Sequence, residues 1–471
     1  MADLNCCIAI VGAGFCGTVT AINLLQQAHV APLRILLIDR DRHARGTAYA
    51  DHPTSYLLNV PAARMSASSS DPLDFLRFAQ RTTPDATAED FLPRTRYGEY
   101  LEEKLALAER AAAPHVRLER IRGNVRSVEV WRPSHTFILG FQDGHEMTAT
   151  KVVLALGNPP PAALPGTEEM PQSRRLVENP RCVPATLSQD ETVMLVGAGL
   201  TMADLVASAV QKGRGPKLMY AISRHGLVPP PQTALRNSHS DFDPLPLLRA
   251  ASVSVRQLFQ LVRQISREAE HRGGDWREAI TCVRSVAPAL WSRLPRQERQ
   301  RFLRHLRTYW DVHRHRLPPS THATVDELRA AHRLIVHAGK ILRLEPEANQ
   351  VRVIWRPRGH EQSAVLRVDR VINCTGPDYQ CAASRDPLVR DLIAKGLIQP
   401  DALGTGLRTA ANGGVVNLFG RATRGLYYIG PMLRADHWEA TAVQELREHA
   451  ESLAQELARP AAGRTLIHNV S

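Results

Sequence analysis

Two glycine patterns in this chain have the spacing of a phosphate cradle. In the first, CIAIVGAGFCGTVTAINLL (residues 7–25), Gly12, Gly14 and Gly17 follow a β-branched run and open a helical stretch. In such a turn the first glycine permits the tight bend and the second lets a pyrophosphate approach the backbone. The third allows helix and strand to touch. The helix that follows presents free N–H groups and the positive end of its dipole to phosphate. A second apolar run, RILLID, ends in Asp39, 22 residues after Gly17, where a carboxylate accepts hydrogen bonds from a ribose 2′-hydroxyl. The other pattern, TVMLVGAGLTMADL (residues 192–205), keeps Gly197 and Gly199 but places Met202 at the third position. Its next strand, KLMYAIS, leads into Ser223-Arg224-His225. With no acid for a free 2′-hydroxyl and a guanidinium in its place, this site suits a 2′-phosphate, hence NADPH, with NADH as the lesser option. Two unlike pockets imply two unlike nucleotides: FAD in the first, its reductant in the second.

The elements that must position these turns follow from the same text. RGTAYA (Arg45–Ala50) and LLNVPAARMSA (Leu57–Ala67) are too rich in Gly, Pro, Asn and Ser for regular structure. They read as loops at the carboxyl ends of strands, where open α/β sheets place ligands. VVLALGNPP and VINCTGPDY are apolar strands that break at a glycine, after strand-rich stretches at residues 116–150 and 348–370. In the last stretch, a strand reaches Gly430-Pro431 and a helix is expected from near Trp438-Glu439 to about Leu457. Apolar residues recur every three or four positions in VRQLFQLVRQI and RQRFLRHLRTYW, which predicts a helical segment. The expected fold class is therefore α/β, with two Rossmann-like dinucleotide-binding domains and a helical insertion. The expected limits are residues 1–165 and 345–471 for the FAD domain, 185–240 for the NAD(P)H domain and 241–340 for an arginine-rich insertion acting as substrate lid.

Composition bounds the partners. The formal charge is +12, and only six of the 59 basic residues are lysine. Residues 245–335 hold 17 arginines against 8 acids and so carry most of the excess. No nucleic-acid recognition motif accompanies them, so a small anionic substrate is the expected partner, with no nucleic acid and no membrane. No apolar run approaches the roughly 18 residues that span a bilayer. The seven cysteines form no CxxC pair and no regular framework, which points to a reducing, cytoplasmic setting. In YWDVHRHRLPPSTH (residues 309–322), His313, His315 and His322 fit no common zinc spacing, so no metal is expected. Arg314 and Arg316 in the same stretch are candidates to meet an anionic substrate.

Taken together, RGTAYA, LLNVPAARMSA, VGAGLTMAD, SRHGLVP, INCTGP and YYIGP…HWEATAVQELR resemble the bacterial FAD/NAD(P)-binding proteins that group with an FAD-dependent urate hydroxylase and an aspartate N-monooxygenase. The resemblance implies that Gly12, Gly14, Gly17, Asp39, Arg45, Gly46, Tyr49, Asn59 and Met65 bind FAD, with Gly430 near the flavin. It implies further that Gly197, Gly199 and Arg224, beside Ser223, hold the nicotinamide cofactor. The implied activity is an NAD(P)H-using monooxygenase that consumes molecular oxygen through a flavin C4a-hydroperoxide. The leading expectation is hydroxylation of urate to 5-hydroxyisourate in purine catabolism. N-hydroxylation of an amino acid or other amine is the alternative. Beside these stand an electron-transfer flavoprotein reductase and a non-enzymatic flavin sensor. A disulfide reductase would need a redox cysteine pair that the sequence lacks.

Overall fold

The computed structural model describes residues 6–29, 31–131, 136–167, 175–182, 187–211, 215–233 and 243–459. Its first sheet is built on β1 (Cys6–Val11), a fully apolar run buried on both faces, as a central parallel strand requires. β1 pairs in parallel with β2 (Leu33–Asp39) on one side and with β7 (Lys151–Leu154) on the other. β3 (Val116–Arg122) extends the sheet beyond β2. β16 (Ala422–Tyr428), itself paired antiparallel with β15 (Gly414–Val416), extends it beyond β7. The chain leaves β1 through α1 (Phe15–Gln26), which is buried along most of its length between the sheet and α12 (Val443–Ala458). α2 (Asp74–Gln80) and α3 (Arg94–Ala111) complete that face. On the opposite face lies a three-stranded meander, β4 (Val125–Trp131), β5 (Thr136–Phe141) and β6 (Glu146–Ala149), backed by α11 (Pro387–Ala394).

The second sheet repeats the plan. β9 (Thr192–Val196) is its buried central strand, flanked in parallel by β10 (Leu218–Ser223) and β14 (Arg370–Asn373). β8 (Leu176–Val177) lies outside β14. β11 (Leu334–Pro346) runs parallel to β10 over its first five residues, then turns antiparallel against β12 (Val351–Pro357), which pairs with β13 (Ala364–Val368). α4 (Leu200–Gln211) follows β9 and packs against α10 (Pro319–Ala330). Between β10 and α10 comes a helical body: α5 (Leu245–Ala251), α6 (Val255–His271), α7 (Trp276–Arg293), α8 (Arg296–Arg301) and α9 (Arg307–Arg314). α8 runs into α9 through a π-helical stretch, Phe302–Leu306. Such wide turns recur at functional positions.

Three expectations shift. The chain does not return to the first sheet near residue 345, because β12, β13 and β14 all belong to the second sheet and the return follows Asn373. The physical reason is burial: Val351, Val353 and Trp355 alternate inward and pack on Met194, Val196 and Ile222. α10 and the start of β11 likewise belong with the second sheet rather than with the insertion. Finally, the last helix starts at Val443, not near Trp438. Ala442 is extended, and Trp438 and Glu439 are held in non-helical backbone with their side chains buried against the helical body.

Candidate nucleotide and substrate site

At the first turn Gly12 has φ +106, and a Cβ there would lie 2.2 Å from the carbonyl oxygen of Ala155. The crowding arises because β1 leads into the turn between two partners: Gly12 N donates to Ile38 O at 2.8 Å and Ala155 N donates to Val11 O at 2.8 Å. Gly17 has no room either, since a Cβ would meet Gly12 O at 1.9 Å. Gly14 caps α1 without any side-chain bond, leaving first-turn N–H groups open to an anion. Gly46, at φ +53, rests over Gly14, so the Arg45–Ala50 loop lies across the turn. Asp39 Oδ2 accepts from Ala13 N at 2.6 Å and Oδ1 from Asp41 N at 3.0 Å. Each carboxylate oxygen keeps a lone pair for a ribose hydroxyl.

The other residues named for this site lie in the loops around it, each with its own contacts. The buried Arg45 guanidinium bonds Glu102 at 2.9 and 3.0 Å and Asp51 at 2.7 Å, so it braces the loop from beneath. Tyr49 is buried in a ring cluster, 4.7 Å from Tyr97, and burial pushes its hydroxyl up to about 12. Met65 is buried just after the short helical turn Ala62–Arg64. Asn59 O accepts from Gln232 Nε2 at 3.4 Å, which joins this loop to the chain after β10. Gly430, at φ +146, leaves no space for a Cβ beside the Tyr428 hydroxyl, which accepts from Met432 N at 3.1 Å.

The second turn is built on the same contacts. Gly197 has φ +116, its N donates to Ile222 O at 2.7 Å, and a Cβ would lie 2.3 Å from Cys374 O. Gly199, by contrast, has nothing within 4 Å of a would-be Cβ. Met202 is fully buried among core residues such as Leu195 and Val206, so its side chain leaves the turn clear. At the end of β10, Ser223 Oγ accepts from Gly226 N at 3.0 Å and Arg224 is exposed. Burial, and then the charges of Arg358 and Arg224, hold His225 below the usual histidine range, and its Nδ1 is buried without a partner. Arg358 was not foreseen: it lies beyond β12, far off in sequence, and reaches this corner because its N–H donates to Ala338 O on β11 at 2.9 Å.

Between the two turns, Asp204 on α4 meets Arg94, the first residue of α3, at 3.5 Å, with Arg181 at 4.0 Å. Burial raises the Asp204 carboxyl while the two guanidinium groups oppose that rise. A separate small cavity of about 40 Å³ is walled by Val60, Pro61 and Arg64 of the Leu57–Ala67 loop, by Gln232, and by Val443 and Gln444 at the start of α12. Arg284, Arg314 and Arg316 complete it. Arg314 and Arg316 are thus brought to the loop expected to hold the flavin, and both are buried rather than exposed at a helix end. Arg314 is answered by Glu439 at 2.7 Å. Arg284 is shared between Glu439 and Glu445. Arg316 is 7% exposed, and its Nε and Nη1 have no hydrogen-bond partner. Burial, then Arg277 and Arg314, lower its guanidinium to about 10, which leaves it charged at neutral pH. Four arginines therefore face two glutamates.

His313 and His315 bond backbone carbonyls of their own helix, and His322 pairs with Asp326 at 3.1 Å. Among the described residues no group of three or more His, Cys, Asp or Glu gathers as a metal site, and no helix is long and apolar enough to cross a membrane. Among the described residues no disulfide links the seven cysteines.

Residues 9–159 match the FAD-NAD(P)-binding family model. No curated protein sequence matches. Among solved structures, the ornithine N-hydroxylase of Kutzneria sp. 744 superposes with a TM-score of 0.62 at 15% identity, over 96% of this chain and 98% of that one. The cadaverine monooxygenase of desferrioxamine biosynthesis from Erwinia amylovora gives 0.63 at 14% identity, over 96% and 94%. The L-lysine 6-monooxygenase of Pseudomonas syringae gives 0.61 at 14% identity, over 96% and 98%. The chain shares the two-nucleotide α/β fold of these flavoproteins.

Proposed function

We propose that this chain is an FAD-dependent, NADPH-using monooxygenase that N-hydroxylates an amine carrying an acidic group. Three solved structures that share the fold over nearly their whole length are named for oxidation of ornithine, cadaverine or lysine, which supports amine oxidation ahead of urate hydroxylation. The observation that carries the substrate class is Arg316, a buried cation with two unpaired nitrogens at the edge of the flavin-side loop. A buried charge without a counter-ion is costly, and a substrate carboxylate removes that cost.

The donor set fits both nucleotides. Gly12 and Gly17 close a turn that no Cβ could enter, Asp39 keeps free lone pairs, and the α1 N-terminus lacks a cap. Around the second turn, open space at Gly199 leaves room for a pyrophosphate, and Arg224 and Arg358, beside His225, form a cationic corner for a 2′-phosphate. When bound and reduced by NADPH, flavin supplies the activation of oxygen. The balance is R–NH₂ + O₂ + NADPH + H⁺ → R–NHOH + NADP⁺ + H₂O. One oxygen atom enters the N–H bond, the other leaves as water, and NADPH gives two electrons. The protein's share is placement and charge. Arg316 and Arg64 hold the acidic group, Glu439 fixes Arg314, and the excess of cations disfavours an ammonium, so the amine keeps its lone pair.

The same positive cavity suits the urate monoanion, and urate hydroxylation stands as the second reading. One assay separates the two. The purified yellow protein is mixed with NADPH and either acidic amines or urate, and products are read by mass spectrometry. A hydroxylamine from an amine is the expected result. Loss of urate to 5-hydroxyisourate would replace the proposal, and NADPH loss indifferent to every substrate would leave an electron-transfer role.

A further inference from the structure

The helical body lines a larger, partly open cavity of about 680 Å³, within the range of small-molecule sites, and its walls are mostly apolar. Four of the chain's six tryptophans, Trp276, Trp291, Trp310 and Trp438, converge on it. They come from α7, α9 and the turn before α12, so no local pattern announces the grouping. Trp291 and Trp438 lie 4.5 Å apart, and Phe302 of the π-helical stretch meets Trp438 edge-on at 5.2 Å. Two of the polar handles are already taken, for Trp291 Nε1 donates to Ala435 O at 2.8 Å and Trp310 Nε1 to Glu439 at 3.0 Å. What these two rings leave for an occupant is carbon.

α6 forms one side. Its apolar residues Val255, Leu258, Phe259 and Val262 line this space, and of its 17 residues only Val255 and Ala269 are buried. A strongly amphipathic helix normally sets such a face on a core; here part of the face packs on the helical body and part lines the cavity. This cavity adjoins the arginine cavity. Ile280 lines both, and Glu439 takes Trp310 from one wall and Arg314 from the other. The arginine cavity, at about 40 Å³, has the size of an acidic head group and no more.

We infer that the tryptophan cavity receives the apolar, aromatic body of the substrate whose acidic group is held at Arg316. This rests on the acidic-amine reading above and deepens it: the substrate is a bulky aryl amino acid or close analogue, not a short aliphatic diamine or ornithine. Aromatic rings gain both buried area and edge-to-face contacts in such a box.

The test uses the FAD-loaded protein and calorimetry with L-2-naphthylalanine, L-phenylalanine and L-ornithine as probes, with parallel mass spectrometry of NADPH reactions. Naphthylalanine is expected to bind at least about tenfold more tightly than ornithine, from the extra ring area removed from water, with a negative heat-capacity change. Ser266→Trp and Ala287→Phe, both in the cavity wall, should each abolish that preference, with bound FAD and melting temperature as checks of folding. If only one variant folds, that one decides. Ornithine binding as tightly as naphthylalanine, or a preference that survives a folded filling variant, overturns the inference. Aryl binding without any N-hydroxylated product would keep the cavity's ligand class and sink the amine reading. N-hydroxylation of ornithine with no aryl binding would do the reverse.

Discussion

The two nucleotide turns are copies in backbone and opposites in surroundings. Gly12 and Gly197 share a left-handed φ, the same pair of strand contacts and a facing carbonyl that excludes any Cβ, 2.2 Å away in one case and 2.3 Å in the other. After that they part. Gly17 is pressed onto its own turn, whereas Met202 fills the core. Gly14 lies under Gly46, whereas Gly199 faces open space. Asp39 stands at one strand end, whereas Arg224, Arg358 and His225 gather at the other. The difference teaches that a covered turn suits a resident cofactor and an open one suits a reductant that must come and go.

The largest expected effect breaks the shared part. Gly12→Ala should destabilise by about 3 kcal/mol or more, through a disallowed φ and a clash with backbone, and should yield colourless protein. Gly197→Ala should leave yellow protein that no longer consumes NADPH. Absorbance and thermal melts read both. Next comes the third position. Gly17→Met should abolish FAD retention, while Met202→Gly should leave a core cavity and lower stability by about 2–5 kcal/mol without removing bound FAD. If Met202→Gly proves harmless, the claim that this side chain belongs to the core is wrong.

Charge is tested third. Removing Arg224 and Arg358 together should reduce kcat/KM for NADPH by about a hundredfold, at roughly tenfold per charge-assisted contact. The NADH value should barely move. Arg316→Gln is expected to raise KM for an acidic amine by about tenfold. It should not lower the melting temperature, since its Nε and Nη1 are buried without partners. A clear loss of stability would show that Arg316 is held for the fold. The smallest effect belongs to Gly199→Ala. With nothing within 4 Å and an ordinary φ, stability should change little, by about 0.5 kcal/mol at most. A rise in KM for NADPH should be its only mark if a pyrophosphate passes there.

Much of the fold was legible because it is local. The strands at residues 8–11, 192–196 and 371–373, the helices after each turn, and the glycine breaks at Gly157 and Gly376 all lie where periodicity and turn chemistry put them. Asp39 was legible for the same reason, being the end of the next strand. Arg45 and Tyr49 lie in a loop, as their composition indicates, yet their side chains turn to Glu102 and Tyr97, partners that no short window contains. The start of the last helix was misjudged because Trp438 and Glu439 are held by α7, α8–α9 and the arginines, and that pull outweighs helix propensity.

The sequence alone determined two glycine turns with the spacing of a phosphate cradle, the unlike polarity of the strand ends beside them and a basic helical insertion, since each depends on residues within one strand–turn–helix unit. Tertiary structure alone decided where the insertion's charges and rings go. It gathered residues 60–64, 232, 255–316 and 438–444 into two adjoining cavities, one cationic and one aromatic. That grouping is a matter of long-range packing: burial in the assembled core, rather than spacing along the chain, left Arg316 unpaired and four indoles around one space.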